Sequence, residues 1–170
     1  YRCAVENARM GLPEVSLGII PGAGGSQRLP RLIGAKAALE FILGVVPVSA
    51  TEAYKIGIID RVIDKELMEG TLEYVGSLLA DGVGPRKVSE MHVDKSGYGE
   101  EFLVDARKLS ARRLRGQNAP NLVIEAINNA VNLPFEEGIR KEKIIGDKAL
   151  VSKEAKALRD IFFSEREIGK

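Results

Sequence analysis

The chain has 170 residues, with 45% apolar and 29% charged side chains and a formal net charge of +1. That is the composition of an ordinary globular protein long enough to bury a core, and its charge balance gives no reason to invoke nucleic acid or an anionic membrane. The single cysteine, Cys3, excludes an internal disulfide and a cysteine-built zinc site, and no apolar run reaches the roughly 18–20 residues that a bilayer crossing needs.

The absence of disulfides suits a reducing compartment. No basic start leads into an apolar stretch, so no signal peptide is expected. The chain opens on Tyr1-Arg2-Cys3-Ala4-Val5 rather than Met. Those residues read like the middle of a longer chain and suggest sequence missing upstream. Cys3 itself is expected to be a small, buried or half-buried residue.

Residues 1–25 read as short extended pieces broken by glycine and proline. Val15, Leu17 and Ile19 alternate with smaller residues, which is strand-like. Ser26 is placed to cap a helix that runs to Ile33 and stops at Gly34. A second helix spans Ala35 to Leu43 and ends at Gly44. Val45 to Val48 is extended, with Pro47 confining it to an edge or loop. Ser49-Ala50-Thr51-Glu52 is a capping box, and its helix ends by Gly57. Ile58 to Ile63 is a short apolar strand. Asp64 is placed to cap a longer helix with Leu67, Met68, Leu72, Val75, Leu78 and Leu79 on one face.

Residues 81–99 hold Gly82, Gly84, Pro85, Ser96, Gly97 and Gly99 and read as a linker. Helices follow at about 100–115, 120–131, 135–148 and 152–164, with Pro120 in a first turn and Ser152 as a cap. The layout is α/β up to about residue 63, a helix over 64–80, a linker over 81–99 and a helical region over 100–170.

The stretch from Gly11 to Leu29 is the richest in chemistry. It sets one carboxylate, Glu14, between Leu12, Val15 and Leu17, then runs through the turn Pro21-Gly22-Ala23-Gly24-Gly25. A carboxylate among apolar neighbours can have its pKa raised by desolvation and serve as a general acid or base. Glycines let backbone N–H groups approach a ligand or a water. Two plainer readings stand beside this one: Glu14 as a solvated strand-end residue, and the glycines as a tight turn feeding a helix. The turn lacks the final glycine of the dinucleotide fingerprint and the lysine of a P-loop.

Leu12-Pro13-Glu14-Val15 and the run Leu17 to Gly34 resemble the signature of the enoyl-CoA hydratase/isomerase (crotonase) family. Val48-Ser49-Ala50, Glu52-Ala53 and Gly57-Ile58-Ile59-Asp60 continue the likeness in register. Further on, Arg115 to Pro120, Leu133 to Gly138 and Phe162-Phe163-Ser164-Glu165-Arg166 resemble one branch. There a hydratase/isomerase domain precedes a 3-hydroxyacyl-CoA dehydrogenase domain in multifunctional enzymes of fatty-acid β-oxidation. The likeness spans essentially the whole chain and is weakest over 81–110.

The resemblance implies a partial crotonase-like ββα spiral core followed by a mostly helical region. It implies that Glu14 is the family's second catalytic glutamate. In hydratases that residue works with an earlier glutamate on the protons of water addition to a 2-enoyl thioester; in isomerases it shuttles the proton by itself. Gly22 matches the glycine whose N–H holds the catalytic water. Phe162 matches an aromatic lying by the adenine of coenzyme A. Three positions on, where single-domain relatives carry a basic residue, this chain has Glu165, which puts a charge contact to the coenzyme A phosphates in doubt.

The family's first catalytic glutamate and both oxyanion-hole N–H groups match positions upstream of Tyr1. An oxyanion hole often contributes several kcal/mol to the barrier, so the chain is expected to be a truncated fragment with little or no activity alone. No cofactor is expected beyond the coenzyme A that the substrate carries, and no metal. The resemblance implies an acyl-CoA substrate and a homo-oligomer, in bacterial cytoplasm or in a peroxisome or mitochondrion.

Other features weigh less. His92, the only histidine, lies near Glu90 and Asp94; a solvated loop outweighs a metal site. Arg107, Lys108, Arg112, Arg113 and Arg115 form a basic run that would suit phosphate or nucleic acid, but with Glu100, Glu101 and Asp105 nearby it reads as a solvated helix face. Lys141-Glu142-Lys143 reads as ordinary surface charge. The rival to an enzyme is a non-catalytic module that self-associates through residues 1–25 or the 35–43 helix.

Overall fold

A computed structural model describes residues 1–114 and 117–169. Arg115 and Gly116, which belong to the basic run and to one of the family-like motifs, lie outside the described residues.

Two short strand pairs carry the β-structure. Strand β1 (Cys3–Val5) runs parallel to β4 (Arg61–Ile63), with Cys3 opposite Arg61 and Val5 opposite Ile63. Strand β2 (Arg9–Met10) runs antiparallel to β3 (Val48–Ser49). Cys3 is half-buried, its Sγ 3.3 Å from Thr71 Oγ1. Ala4, Ala50, Ala53 and Ile59 close a small apolar cluster under these strands.

The segment that reads as a strand around Val15 is a 3-10 turn over Pro13–Leu17. Pro13 presets φ for a first helical turn and donates no N–H. Gly18, at φ 72°, reverses the chain and lets its own N–H reach Val15 O at 3.2 Å. This positive φ suits glycine. The alternation of Val15, Leu17 and Ile19 therefore reflects a turn with one buried face, not a sheet edge.

Eight helices follow among the described residues: α1 (Gly25–Ile33), α2 (Ala35–Gly44), α3 (Ala50–Lys55), α4 (Leu67–Ala80), α5 (Glu100–Arg113), α6 (Ala119–Asn132), α7 (Phe135–Leu150) and α8 (Lys153–Ile168). Two of the expected caps form: Ser49 Oγ accepts from Glu52 N at 3.2 Å, and Ser152 Oγ accepts from Ala155 N at 3.0 Å. Two do not. Helix α4 is capped by the Glu66 side chain, which accepts from Glu69 N, rather than by Asp64. Helix α1 starts after Gly24, and the Ser26 hydroxyl is engaged elsewhere.

The principal core joins both ends of the chain. Val15 and Ile20, then Leu29, Ala38, Leu39 and Ile42 of α1 and α2, pack with Val123, Ile124 and Ile127 of α6 and Ile145 of α7. The apolar face of α2 is thus spent inside the chain, with Ala35, Ala38, Leu39 and Ile42 fully buried. That corrects the expectation that this helix offers an association surface. Helix α4 does the opposite. Leu67, Met68, Leu72, Val75 and Leu79 are exposed, Leu79 at 71%. No helix among the described residues is long and apolar enough to cross a membrane.

Candidate active site

Glu14 sits in the 3-10 turn, and its own backbone is tied down: its carbonyl accepts from Ile19 N at 3.3 Å. The turn holds the residue half-buried, with Oε2 buried and without a hydrogen-bond partner. Most buried polar atoms in folded proteins have a partner; among the described residues Glu14 Oε2 is the one carboxylate oxygen among the four buried side-chain atoms without one.

Glu14 and Gly22 line the same cavity, of about 580 Å³. Ile19, Ile20, Ile139 and Leu150 give it apolar walls, and Gly24, Arg28 and Glu142 line it too. Gly22 itself is exposed, with room around it; a Cβ there would meet nothing closer than Ile20 O at 3.7 Å. The structure thus brings the glutamate and the glycine together. Phe162 is not among the lining residues. It lies on α8, 39% exposed, edge-on to Phe163 with ring centroids 5.5 Å apart and with the Arg166 guanidinium 5.7 Å from its ring centre.

Glu142 is the residue the sequence reading missed. It is 1% exposed, not a surface charge. Its Oε1 accepts from Gly24 N at 2.6 Å and its Oε2 accepts from the Ser26 hydroxyl. Gly24 takes φ 84° at the N-terminus of α1, where the helix has no side-chain cap of its own. Glu142 supplies that cap from α7, where the helix dipole favours negative charge. Burial pushes its carboxyl pKa above the usual glutamate range, although the hydrogen bonds from Ser26 and Gly24 and the charge of Arg28 pull the other way. A signal for this burial was in the sequence: Gly138, Glu142, Ile145 and Ala149 are the buried residues of α7 and fall on one helical stripe.

A layer of buried polar groups supports this wall. Gln27 Nε2 donates to Ala126 O at 2.9 Å and to Ser26 Oγ at 3.1 Å. A Cβ on Gly138 would collide with the Gln27 amide oxygen. Gly138→Ala is therefore expected to cost about 1–3 kcal/mol, the usual penalty of overpacking a tight site. Chemical denaturation checks this; an unchanged midpoint would show that Gln27 moves aside freely.

A second cavity, about 600 Å³, lies between α2 and α5, with Leu39, Leu43, Phe102 and Leu109 among its walls. It is the roomier of the two, but its charged groups, such as Lys36 and Asp105, stand on an apolar groove and none is a buried, unpartnered acid. The chemistry points to the cavity of Glu14. His92 is exposed in the 81–99 loop. Its two acidic neighbours are engaged: Glu90 with Lys87 at 2.9 Å, and Asp94 with Ser96 N at 2.9 Å. In the basic run of α5, Arg107 meets Glu100 at 3.5 Å and Lys108 meets Asp105 at 3.4 Å.

Comparison with known proteins adds the family. The family model described as Enoyl-CoA hydratase/isomerase matches residues 1–95. A peroxisomal bifunctional enzyme of Danio rerio is 40% identical over 167 residues, covering 98% of this chain and 23% of that protein. A peroxisomal bifunctional enzyme of Cavia porcellus is 37% identical over 166 residues, again 98% of this chain and 23% of the relative. The chain thus spans about a quarter of the length of the curated relatives it matches. Among solved structures, a carnitinyl-CoA dehydratase from Mycobacterium thermoresistibile superposes with a TM-score of 0.60 at 22% identity, over 91% of this chain and 52% of that one. That likeness concerns the fold, a crotonase core to which this α/β part and its helical region correspond.

Proposed function

The chain belongs to the enoyl-CoA hydratase/isomerase family, and from that premise we propose that Glu14 is its proton-transfer carboxylate, acting on enoyl-CoA thioesters of fatty-acid β-oxidation. The observation that carries the reading is that Glu14, whose Oε2 is buried and unpartnered, lines the same cavity as Gly22. A thioester carbonyl acidifies the carbon beside it. A carboxylate free of other partners is placed to take or give that proton. In isomerisation Glu14 moves the proton by itself. In hydration it works with a second glutamate while the N–H of Gly22 holds the water. No cofactor enters beyond the coenzyme A of the substrate. Phe162 takes the adenine end, on its resemblance to the family's aromatic at that position.

Within this reading, the 170 residues alone turn over enoyl thioesters slowly or not at all. They hold one glutamate of the pair and offer no residues matched to the family's oxyanion-hole donors. Loss of such donors costs about 100–1000-fold per group. The location proposed is bacterial cytoplasm or, in a eukaryote, a peroxisome or mitochondrion; the peroxisomal relatives support the latter. The test is a side-by-side assay of 2-enoyl-CoA hydration and 3-enoyl-CoA isomerisation by the complete protein and by the 170-residue chain. The complete protein is expected to work at ordinary enzyme rates, about 1–1000 per second, and the chain alone far below. An active chain would overturn the proposed dependence. A complete protein inert on all enoyl-CoA substrates would overturn the assignment.

One observation favours the second reading, a self-associating module. The exposed stripe Leu67, Met68, Leu72, Val75 and Leu79 on α4 is a surface of the kind that associates. Light scattering across a wide concentration range is expected to show association that the double variant Leu72→Glu/Leu79→Glu reduces. A strictly monomeric parent chain would remove this reading.

A further inference from the structure

We propose that Glu142 is a positioning residue: from α7 it clamps the glycine turn Gly22–Ser26 and so sets where Gly22 stands in the cavity. The bearing on chemistry rests on the role given to Gly22 above. The clamp itself does not.

Both Glu142 oxygens are used, and both reach across more than a hundred residues of chain to one turn: Oε1 to Gly24 N (separation 118) and Oε2 to the Ser26 hydroxyl (separation 116). Gly22 lies two residues before Gly24, and no side chain of its own anchors it. The other ties on the turn come from α1 itself: Arg28 N donates to Gly24 O at 2.8 Å, and the Arg28 guanidinium donates to Ala23 O at 2.7 Å. Arg28 is exposed and can swing away. Glu142 is the buried tie that comes from outside α1; the other buried one, Gln27 Nε2 to Ser26 Oγ at 3.1 Å, is made within that helix.

A role in packing alone would be better served by an apolar residue, since burying a carboxyl costs free energy unless its oxygens find donors. A carboxylate at this place is used for its two acceptors. Arg28 from α1 acts on its charge, and the other charged groups lining the same cavity are Glu14 from the 3-10 turn and Lys143 and Asp147 on its own helix. Lys143 and Asp147 pair with each other at 2.7 Å. Burial raises the Glu142 pKa. The folded chain therefore holds this proton more tightly than the unfolded chain. Stability is then highest at low pH for this group and falls as pH rises from the ordinary glutamate range through its raised value.

Amide NMR of the 170-residue chain tests the clamp without substrate. In the parent chain, Gly22, Gly24 and Ser26 are expected to share one pH transition above the ordinary glutamate range. Glu142→Gln should abolish that transition at all three. Glu14→Gln should leave it in place at Gly24 and Ser26. If Glu142→Gln silences Gly24 but leaves the shared transition at Gly22 intact, Glu142 is a helix cap only and the proposal falls. Should that variant not fold, Ser26→Ala removes one donor to the carboxylate and should move the transition upward at Gly22 as well; a Gly22 transition that stays put overturns the proposal. Because the readout needs no turnover, its failure would leave the role of Glu14 standing. Full activity of Glu14→Gln with an intact clamp would fault the role of Glu14 alone.

Discussion

Glu14→Gln in the complete protein is expected to lower the hydration and isomerisation rates by about 100–10,000-fold, the range that a positioned acid or base contributes. The change is isosteric, so it removes proton-transfer capacity and leaves the shape of the cavity. Glu14 Oε2 has no donor to lose, so no hydrogen bond is broken at that oxygen. The loss should fall on kcat, with KM little changed, because the carboxylate acts on the reacting carbon and not on the coenzyme A handle. Circular dichroism and the thermal midpoint should match those of the parent. A variant with full kcat would remove Glu14 from the mechanism, and a variant that lost only KM would make it a binding residue.

Ile127→Ala is expected to have the largest effect on stability, about 2–5 kcal/mol, as for other fully buried aliphatic truncations. Ile127 is 0% exposed on α6 and belongs to the cluster that includes Leu29, Leu39 and Ile42. A loss of that size is a large share of the roughly 5–15 kcal/mol that holds a domain folded. It should shift the melting midpoint by about 2–4 °C for each kcal/mol lost. Because the core joins α1 and α2 to α6 and α7, the early and late segments should melt together. Two separate transitions, with only the late helices affected, would show that the helical region does not share the core of the α/β part.

The parts legible from sequence were those governed by local chemistry. Gly34 ends α1, Ser49 and Ser152 cap α3 and α8, and the α5–α8 spans fall within a few residues of their periodic patterns. The errors at Ser26 and Glu142 share one physical origin, contacts made far along the chain. Ser26 looks like a cap, but its hydroxyl donates to Glu142. Glu142 sits between two lysines and looks solvated, yet it lies on the buried stripe of α7. Val15 and Leu17 alternate like a strand, but short apolar runs do not distinguish a turn from a sheet edge. The α4 pattern puts its apolar residues on one face; where that face points depends on tertiary packing that periodicity does not encode. At the site, the motif brought Glu14 and Gly22 forward together. The α7 stripe carried a signal that the third residue of that wall, Glu142, is buried, but its partners Gly24 and Ser26 came only from the fold.

The most direct measurement of the central claim is proton exchange at the carbon that Glu14 is placed to serve. Incubated in deuterium oxide, the complete protein should catalyse deuterium entry at C2 of its acyl-CoA. Glu14→Gln should slow that exchange at least about 100-fold, while Glu142→Gln retains measurable exchange. Deuterium entry at the parent rate in Glu14→Gln would contradict the account.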